Sequence, residues 1–242
     1  MSDTRLTQAD RKFWGPIPEV VAWVAAQIPA GARILEIGPG KQPFFRATHF
    51  VDWASHGILP EGALTRCDLQ RDRLPFADKE WDFVYCRHVL EDLYDPFHLC
   101  DEISRIAKAG YIEVPSPLVE ICRGVDGGSP PWRGYHHHRY FVWNKDGVLQ
   151  FLSKYPAIEH MDFPQEAKVA RILRGDPLAW NASLLWRDAI AYRYFQHGPD
   201  YNIIRDYQRA IVAAVNEGLA QAKSLGSLFA TASRIGAPQL ST

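Results

Sequence analysis

Five residues recur in a set order along the first third of the chain: Glu36, the pair Gly38 and Gly40, Asp52 and Asp68. A glycine turn after a strand lets the backbone approach a ligand closely. A carboxylate two residues before that turn can meet a cationic ammonium, directly or through water. An acid ending the next strand can accept hydrogen bonds from ribose hydroxyls. One after the third strand can accept from an adenine amino group. Each feature alone is common, since Gly-x-Gly is frequent and Asp at a strand end is often a turn former. Their order and placement together point to a nucleoside that carries an ammonium group.

A second set could move protons or hold an acceptor. It comprises His88, Glu91, Asp92 and the run His136-His137-His138-Arg139-Tyr140. Histidine suits proton transfer near neutral pH. On an extended segment His136 and His138 share one face, with His137 opposed. The run then reads as a substrate clamp or base at His136 and His138, as a hydrogen-bonded loop, or as half a metal site. No spacing completes the metal set, so no metal is assigned. Glu91 and Asp92 read as acceptor contacts or as a solvated helix face. Arg123, Arg133 and Arg139 could hold a phosphate or carboxylate, and each also suits a plain surface. Trp132, Tyr135, Tyr140 and Trp143 interleave with them. That mixture suits a sugar or planar acceptor, and equally a cap packed on a sheet.

The elements that must position these residues alternate. Ile17, Val20, Val21, Val24 and Ile28 recur at helical spacing between Pro16 and Pro29. Short apolar strands follow at 33–37, 48–52, 63–67 and 81–86. Asp95-Pro96 opens a second helix in which Leu99, Ile103 and Ile106 share a face and Arg105 and Lys108 suit the C-terminal dipole, with Gly110 as its C′ residue. A fifth strand runs from Tyr111 to Val114. Strands alternating with helices imply a doubly wound, mostly parallel sheet. Beyond it, 116–144 and 164–183 read as loop-rich cap insertions. A helix is predicted over 145–154, a strand over 157–163 and a long helix over 200–225. The stretch 184–195 is ambiguous, with Trp186 and Ile190 suiting a helix and Ile190, Tyr192 and Tyr194 alternating as in a strand, which is the reading taken.

The run from Ala32 to Pro117 resembles the class I S-adenosylmethionine (SAM) dependent methyltransferases, most closely the type 11 group. The matching pieces are Leu35-Glu36-Ile37-Gly38-Pro39-Gly40, Asp52, Asp68-Leu69, Leu74-Pro75-Phe76, Trp81-Asp82-Phe83-Val84-Tyr85, His88-Val89-Leu90-Glu91-Asp92-Leu93 and Asp95-Pro96. The resemblance implies an α/β Rossmann-like sheet of seven strands with the last antiparallel. It implies SAM contacts at Glu36, Gly38, Gly40, Asp52, Asp68 and Leu69. It places further cofactor or catalytic contacts at Arg87 and His88. Three departures stand out. About ten residues separate Gly38 from the second strand, too few for a helical crossover, so Gln42-Pro43-Phe44 takes the helix's place. The usual third glycine is missing. Asp92 stands where type 11 members often carry a second histidine.

Composition narrows the acceptor. A formal net charge of -1 lacks the basic surplus of a general nucleic-acid binder. No run approaches a membrane span, and Met1 to Arg11 lacks the apolar core of a signal peptide. Cys67, Cys86, Cys100 and Cys122 show no paired spacing and read as buried thiols in a reducing cytoplasm. The sequence therefore predicts one 242-residue SAM-dependent methyltransferase domain, monomeric or homodimeric. It would act on a small molecule or glycan, at oxygen, with a histidine base. Two other readings stand beside it: a noncatalytic SAM or nucleoside binder with the same fold, and a nicotinamide-dependent oxidoreductase. The missing glycine and the acids at 36 and 68 speak against the last.

Overall fold

The computed structural model describes residue 6 and residues 15–54, 59–126, 132–195 and 201–235. The strands β1 (Ile34–Ile37), β2 (His49–Asp52), β3 (Leu64–Arg66), β4 (Phe83–Arg87) and β5 (Ala109–Pro115) pair in parallel. β8 (Asn181–Arg187) adds antiparallel to β5, giving the order β3-β2-β1-β4-β5-β8. The antiparallel last strand is as expected. The described residues place six strands in this sheet where the resemblance implies seven.

Side chains alternate across β4. Phe83 and Tyr85 pack with α1 (Pro18–Gln27), while Val84 and Cys86 join the larger core under α2 (Pro96–Ile106). Asp95 caps α2 by accepting from the His98 amide at 3.1 Å, with Pro96 in the first turn. Gly110 is not the cap. The helix ends at Ala107 in extended backbone, and Gly110 lies inside β5. A Cβ there would sit 2.5 Å from the Val84 carbonyl oxygen and 2.7 Å from the Trp186 ring, so packing between strands explains the glycine.

The β1–β2 crossover contains no helix. Phe44 is buried and stacks on Tyr85 with centroids 4.4 Å apart. Arg46 donates to the carbonyls of Ala25, Ile28 and Pro29 at the end of α1. Aromatic packing and helix-end capping thus secure the shortened link to α1.

The cap departs further from expectation. The helix predicted over 145–154 is a hairpin of β6 (Tyr140–Lys145) and β7 (Val148–Ser153). Its two-residue turn is Asp146-Gly147, both at positive φ. Asp-Gly is the pair a tight hairpin turn favours, and it outweighs the helical spacing around it. Residues Pro156–His160 form a 3-10 turn in place of the predicted strand. The segment 164–183 is not irregular: it holds α4 (Glu166–Gly175), a second 3-10 turn (Pro177–Trp180) and the start of β8. The insertion at 116–144 holds α3 (Pro117–Ile121) and most of β6.

The ambiguous stretch 184–195 is strand twice over. A turn at Asp188, φ 67, separates β8 from β9 (Ala191–Tyr194). β9 pairs with β7 to make a second sheet, β6-β7-β9. A wide turn at Ile203–Tyr207 then leads into α5 (Gln208–Ile235), whose buried face includes Ile211, Ala214 and Val215. α5 packs on β6, α3 and the Pro177–Trp180 turn.

All four cysteines are buried and free. No helix among the described residues is long and apolar enough to cross a membrane. Apart from Leu6, the stretch from Met1 to Arg11 lies outside the described residues.

Candidate functional site

The carboxyl ends of β1 to β4 open on a cavity of about 650 Å³, within the usual range for small-ligand sites. Gly38, Gly40, Asp52, Asp68 and Leu69 line it, so five of the seven residues expected to hold cofactor meet at one edge. The other two, Glu36 and Arg87, line an adjoining hollow with the same two glycines and His88. Gly38 has φ 67, and a Cβ there would lie 2.4 Å from Val89 Cγ2. Gly40, φ 56, has no atom within 4 Å on its Cβ side. Gly38 is thus required by the close approach of Val89, and only Gly40 leaves open space on its Cβ side.

Glu36 is buried at the end of β1. Its Oε2 accepts from the Phe44 amide at 2.8 Å. Burial pushes its carboxyl up to about 7, partly offset by the Phe44 bond and by Arg87. Asp52 Oδ1 accepts from the Trp53 amide at 2.7 Å. Asp68 is in part the turn former: its Oδ1 accepts from the Gln70 amide at 3.0 Å.

Behind these lies an ionic group that sequence reasoning saw only in part. Arg87 Nε donates to Glu113 Oε1 at 2.6 Å. His88 sits at φ 53, its amide bonded to the Glu113 carbonyl, its ring between Glu91 (3.4 Å) and Glu113 (3.7 Å). Burial works to lower His88, but Glu113 and Glu91 bring it above the usual histidine value. Burial works to raise Glu113, yet His88 and Arg87 hold it down to about 2. The two carboxylates thus favour the charged form of His88 against the pull of burial. Both Glu91 oxygens are buried without a hydrogen-bond partner. An acid inside the apolar strand Tyr111-Ile112-Glu113-Val114 was the available signal for Glu113.

The histidine run forms a turn, not an extended segment. His136 and His138 therefore do not share a face away from His137. His136 Nδ1 meets Asp126 Oδ2 directly. His138 is buried and donates from Nδ1 to Glu120 Oε1 at 2.7 Å. Glu120 is also held by Lys154 and is kept down to about 2 against the upward pull of burial. Sequence reasoning set His137 aside, yet its Nε2 stands 3.8 Å from Asp92 Oδ1, and so does His138 Nε2. Burial, then Glu91, pushes Asp92 up to about 6. Asp126 and Glu120 were missed as well. Glu120, alone among Leu118, Val119 and Ile121, carried the same signal as Glu113.

Two expected acceptor contacts are used elsewhere. Arg139 donates to the Asp92 carbonyl at 3.0 Å and lies 3.4 Å over the Tyr94 ring. Tyr140 donates to the Tyr94 carbonyl at 3.1 Å and packs on Phe97 and Phe151. Both hold the turn after β4 in place. Arg123 pairs with Glu159, and Arg133 with Glu166 and the Ile121 carbonyl, so the expected anion clamp is a set of internal bonds. Asp92 does line the large cavity. A second cavity of about 300 Å³ lies in the cap, bordered by Trp132, His136, His138 and Tyr155 among others.

A family model described as a methyltransferase domain matches residues 47–112, from β2 into β5. The match supports the resemblance to class I methyltransferases of the type 11 group, with SAM as the cofactor. No curated protein matches the chain. Solved structures with partial likeness include a SAM-dependent methyltransferase from Archaeoglobus fulgidus, at 28% identity, 46% of this chain, 58% of that one and TM-score 0.34. One from Mesorhizobium loti aligns at 17% identity over 55% of this chain and 63% of that one, TM-score 0.31. One from Thermotoga maritima aligns at 22% identity over 39% and 48%, TM-score 0.31. The chain thus spans less than two thirds of each of these proteins.

Proposed function

We infer that this chain is a SAM-dependent methyltransferase acting on a hydroxyl of a small molecule or a sugar. The observation that carries the reading is the cavity at the strand ends, where Gly38, Gly40, Asp52 and Asp68 meet. Its residues fit SAM in kind: Glu36 for the ammonium, Asp52 for the ribose and Asp68 for the adenine. Arg87 serves the cofactor indirectly, by steadying Glu113 and drawing down Glu36.

The cofactor supplies a methyl group already activated on a sulfonium. The chain then has three tasks: align the acceptor oxygen, exclude water and remove one proton. The cap cavity, about 300 Å³, suits one ring-sized group, with Trp132 and Tyr155 offering aromatic faces. His136 borders that cavity, is oriented by Asp126 and has its side chain 57% exposed, so a proton taken there can pass to water. We assign the base to His136, and to His88, which lines the large cavity, a positioning role. The free, buried cysteines and the charge balance support a cytoplasmic protein that does not bind bulk nucleic acid.

Calorimetry with SAM, its demethylated product and NAD tests the donor. SAM and product should bind and NAD should not; tight NAD binding without SAM binding overturns the reading. Labelled SAM with a metabolite extract tests turnover. Binding with no transfer to any acceptor favours the noncatalytic alternative.

A further inference from the structure

Asp92, His137 and His138 form a group that the methyl-transfer reading does not use. Their ligand atoms all lie within 4.8 Å of one another, and each imidazole Nε2 is 3.8 Å from the same carboxylate oxygen. Around a tetrahedral ion with bonds near 2.1 Å, two ligand atoms stand about 3.4 Å apart. Each imidazole–carboxylate pair must close by a few tenths of an ångström and the two imidazoles by at most about 1.4 Å, movements open to the half-exposed Asp92 and His137. Asp92 and His137 are 43% and 47% exposed, whereas His138 is 4%.

His138 carries a second, independent observation. Its Nδ1 donates to Glu120, whose other oxygen is held by Lys154, and Lys154 is fixed by the carbonyls of Arg133 and Tyr135. With Nδ1 committed to Glu120, Nε2 is the nitrogen that faces Asp92 and the one left to meet an ion. A carboxylate behind the distal nitrogen is the usual support of a metal-bound histidine.

We propose that Asp92, His137 and His138 bind a divalent transition-metal ion between the two cavities. Two imidazoles and one carboxylate suit zinc, iron(II), cobalt(II) or nickel(II) over magnesium or calcium, which prefer oxygen alone. Three protein ligands with two of them solvent-facing leave a coordination position open, as in catalytic sites rather than structural ones. Asp92 borders the large cavity and His138 the cap cavity. An ion there can take an oxygen of a molecule in either. The overlapping group of Asp126, His136 and His137 is the weaker choice, because Asp126 already occupies His136 Nδ1.

The test uses the full chain stripped with a chelator. Cobalt(II) is titrated by visible absorption and zinc(II) by calorimetry, with SAM affinity measured on the same samples. One equivalent should bind, with the absorption of four-coordinate cobalt(II) lost on adding zinc(II). His137→Ala and His138→Ala should each weaken binding by more than about 100-fold, and Glu120→Gln by about 10- to 100-fold. His136→Ala should leave metal affinity unchanged. If an alanine variant fails to fold by circular dichroism, His137→Gln, on the exposed side of the turn, carries the same expectation. No stoichiometric binding, binding that survives loss of His137 and His138, or binding lost with His136 overturns the assignment. Loss of SAM binding alone, with metal binding intact, counts against the donor reading and leaves this one standing.

Discussion

The backbone amide of Phe44 donates to the buried Oε2 of Glu36 at 2.8 Å. A crossover too short for a helix has placed an amide on the carboxylate where a cofactor ammonium would sit. One amide does not offset burial, and Glu36 remains near 7. An ammonium favours the ionised form. SAM affinity should therefore fall as pH drops below 7, by up to about tenfold per unit, and level off above it. Calorimetry in buffers of different ionisation enthalpy should show a proton released on binding. Glu36→Gln should flatten the profile; an unchanged slope in that variant would remove Glu36 from the site.

The same group affects folding with the opposite sign. Its folded pKa is raised from 4.5 to about 7, so the folded chain keeps a proton that the unfolded chain releases. Unfolding free energy from this group should decline as pH rises between those values, by at most about 1.4 kcal/mol per unit. Urea titrations of wild type and Glu36→Gln at both ends of the window measure the difference.

Asp52 gives one oxygen to the Trp53 amide, and the proposed ribose contact falls to the other. Asp52→Ala should weaken SAM binding by about 1–3 kcal/mol, with Asp52→Asn less affected. Equal affinities for all three proteins would refute the ribose contact.

Gly38→Ala meets two obstacles, a left-handed φ of 67 and a Cβ 2.4 Å from Val89 Cγ2. The conformation costs about 1–2 kcal/mol and the crowding about 1–3. Thermal unfolding should shift down and SAM binding should be lost together. Gly40→Ala, with open space beside it, should affect binding more than stability.

His136→Ala should reduce turnover by about 10²- to 10⁴-fold while SAM affinity stays near wild type. Asp126→Asn should produce part of that loss. Full activity in His136→Ala would return the residue to a loop role and move the base elsewhere.

The edge of the large cavity was legible because its residues are local: each lies at or just past the end of a strand, and strand order does the rest. Glu36, Gly38, Gly40, Asp52 and Asp68 could be placed without knowing any tertiary contact. The shortened crossover was legible by counting residues. The cap was not. Its fate turned on Asp146-Gly147, a two-residue signal that overrides a run of apolar residues at helical spacing. The histidine run was seen but misjudged, because a turn brings His137 to the neighbours of His138 where an extended chain would part them. Partners such as Glu120 and Asp126 are 18 and 10 residues away in sequence, and only folding brings them near. Arg139 and Tyr140 look like ligand contacts by type, yet the Tyr94 turn claims both.

β7 and β9 are partners in the cap, yet β8, which lies between them in sequence, is the edge of the main sheet. The chain is laced through both sheets. It is tied at the crossing, where the Asp188 amide bonds the Lys108 carbonyl and Lys79 reaches the Asp188 carbonyl. A flap joined by one strand can swing; a laced one cannot without tearing two ladders. The cap and the sheet should therefore melt in a single step, and deep amides of β7 and β8 should exchange with solvent at matching rates. Whatever enters between the two cavities must pass by small movements of side chains, since the walls themselves are sewn together.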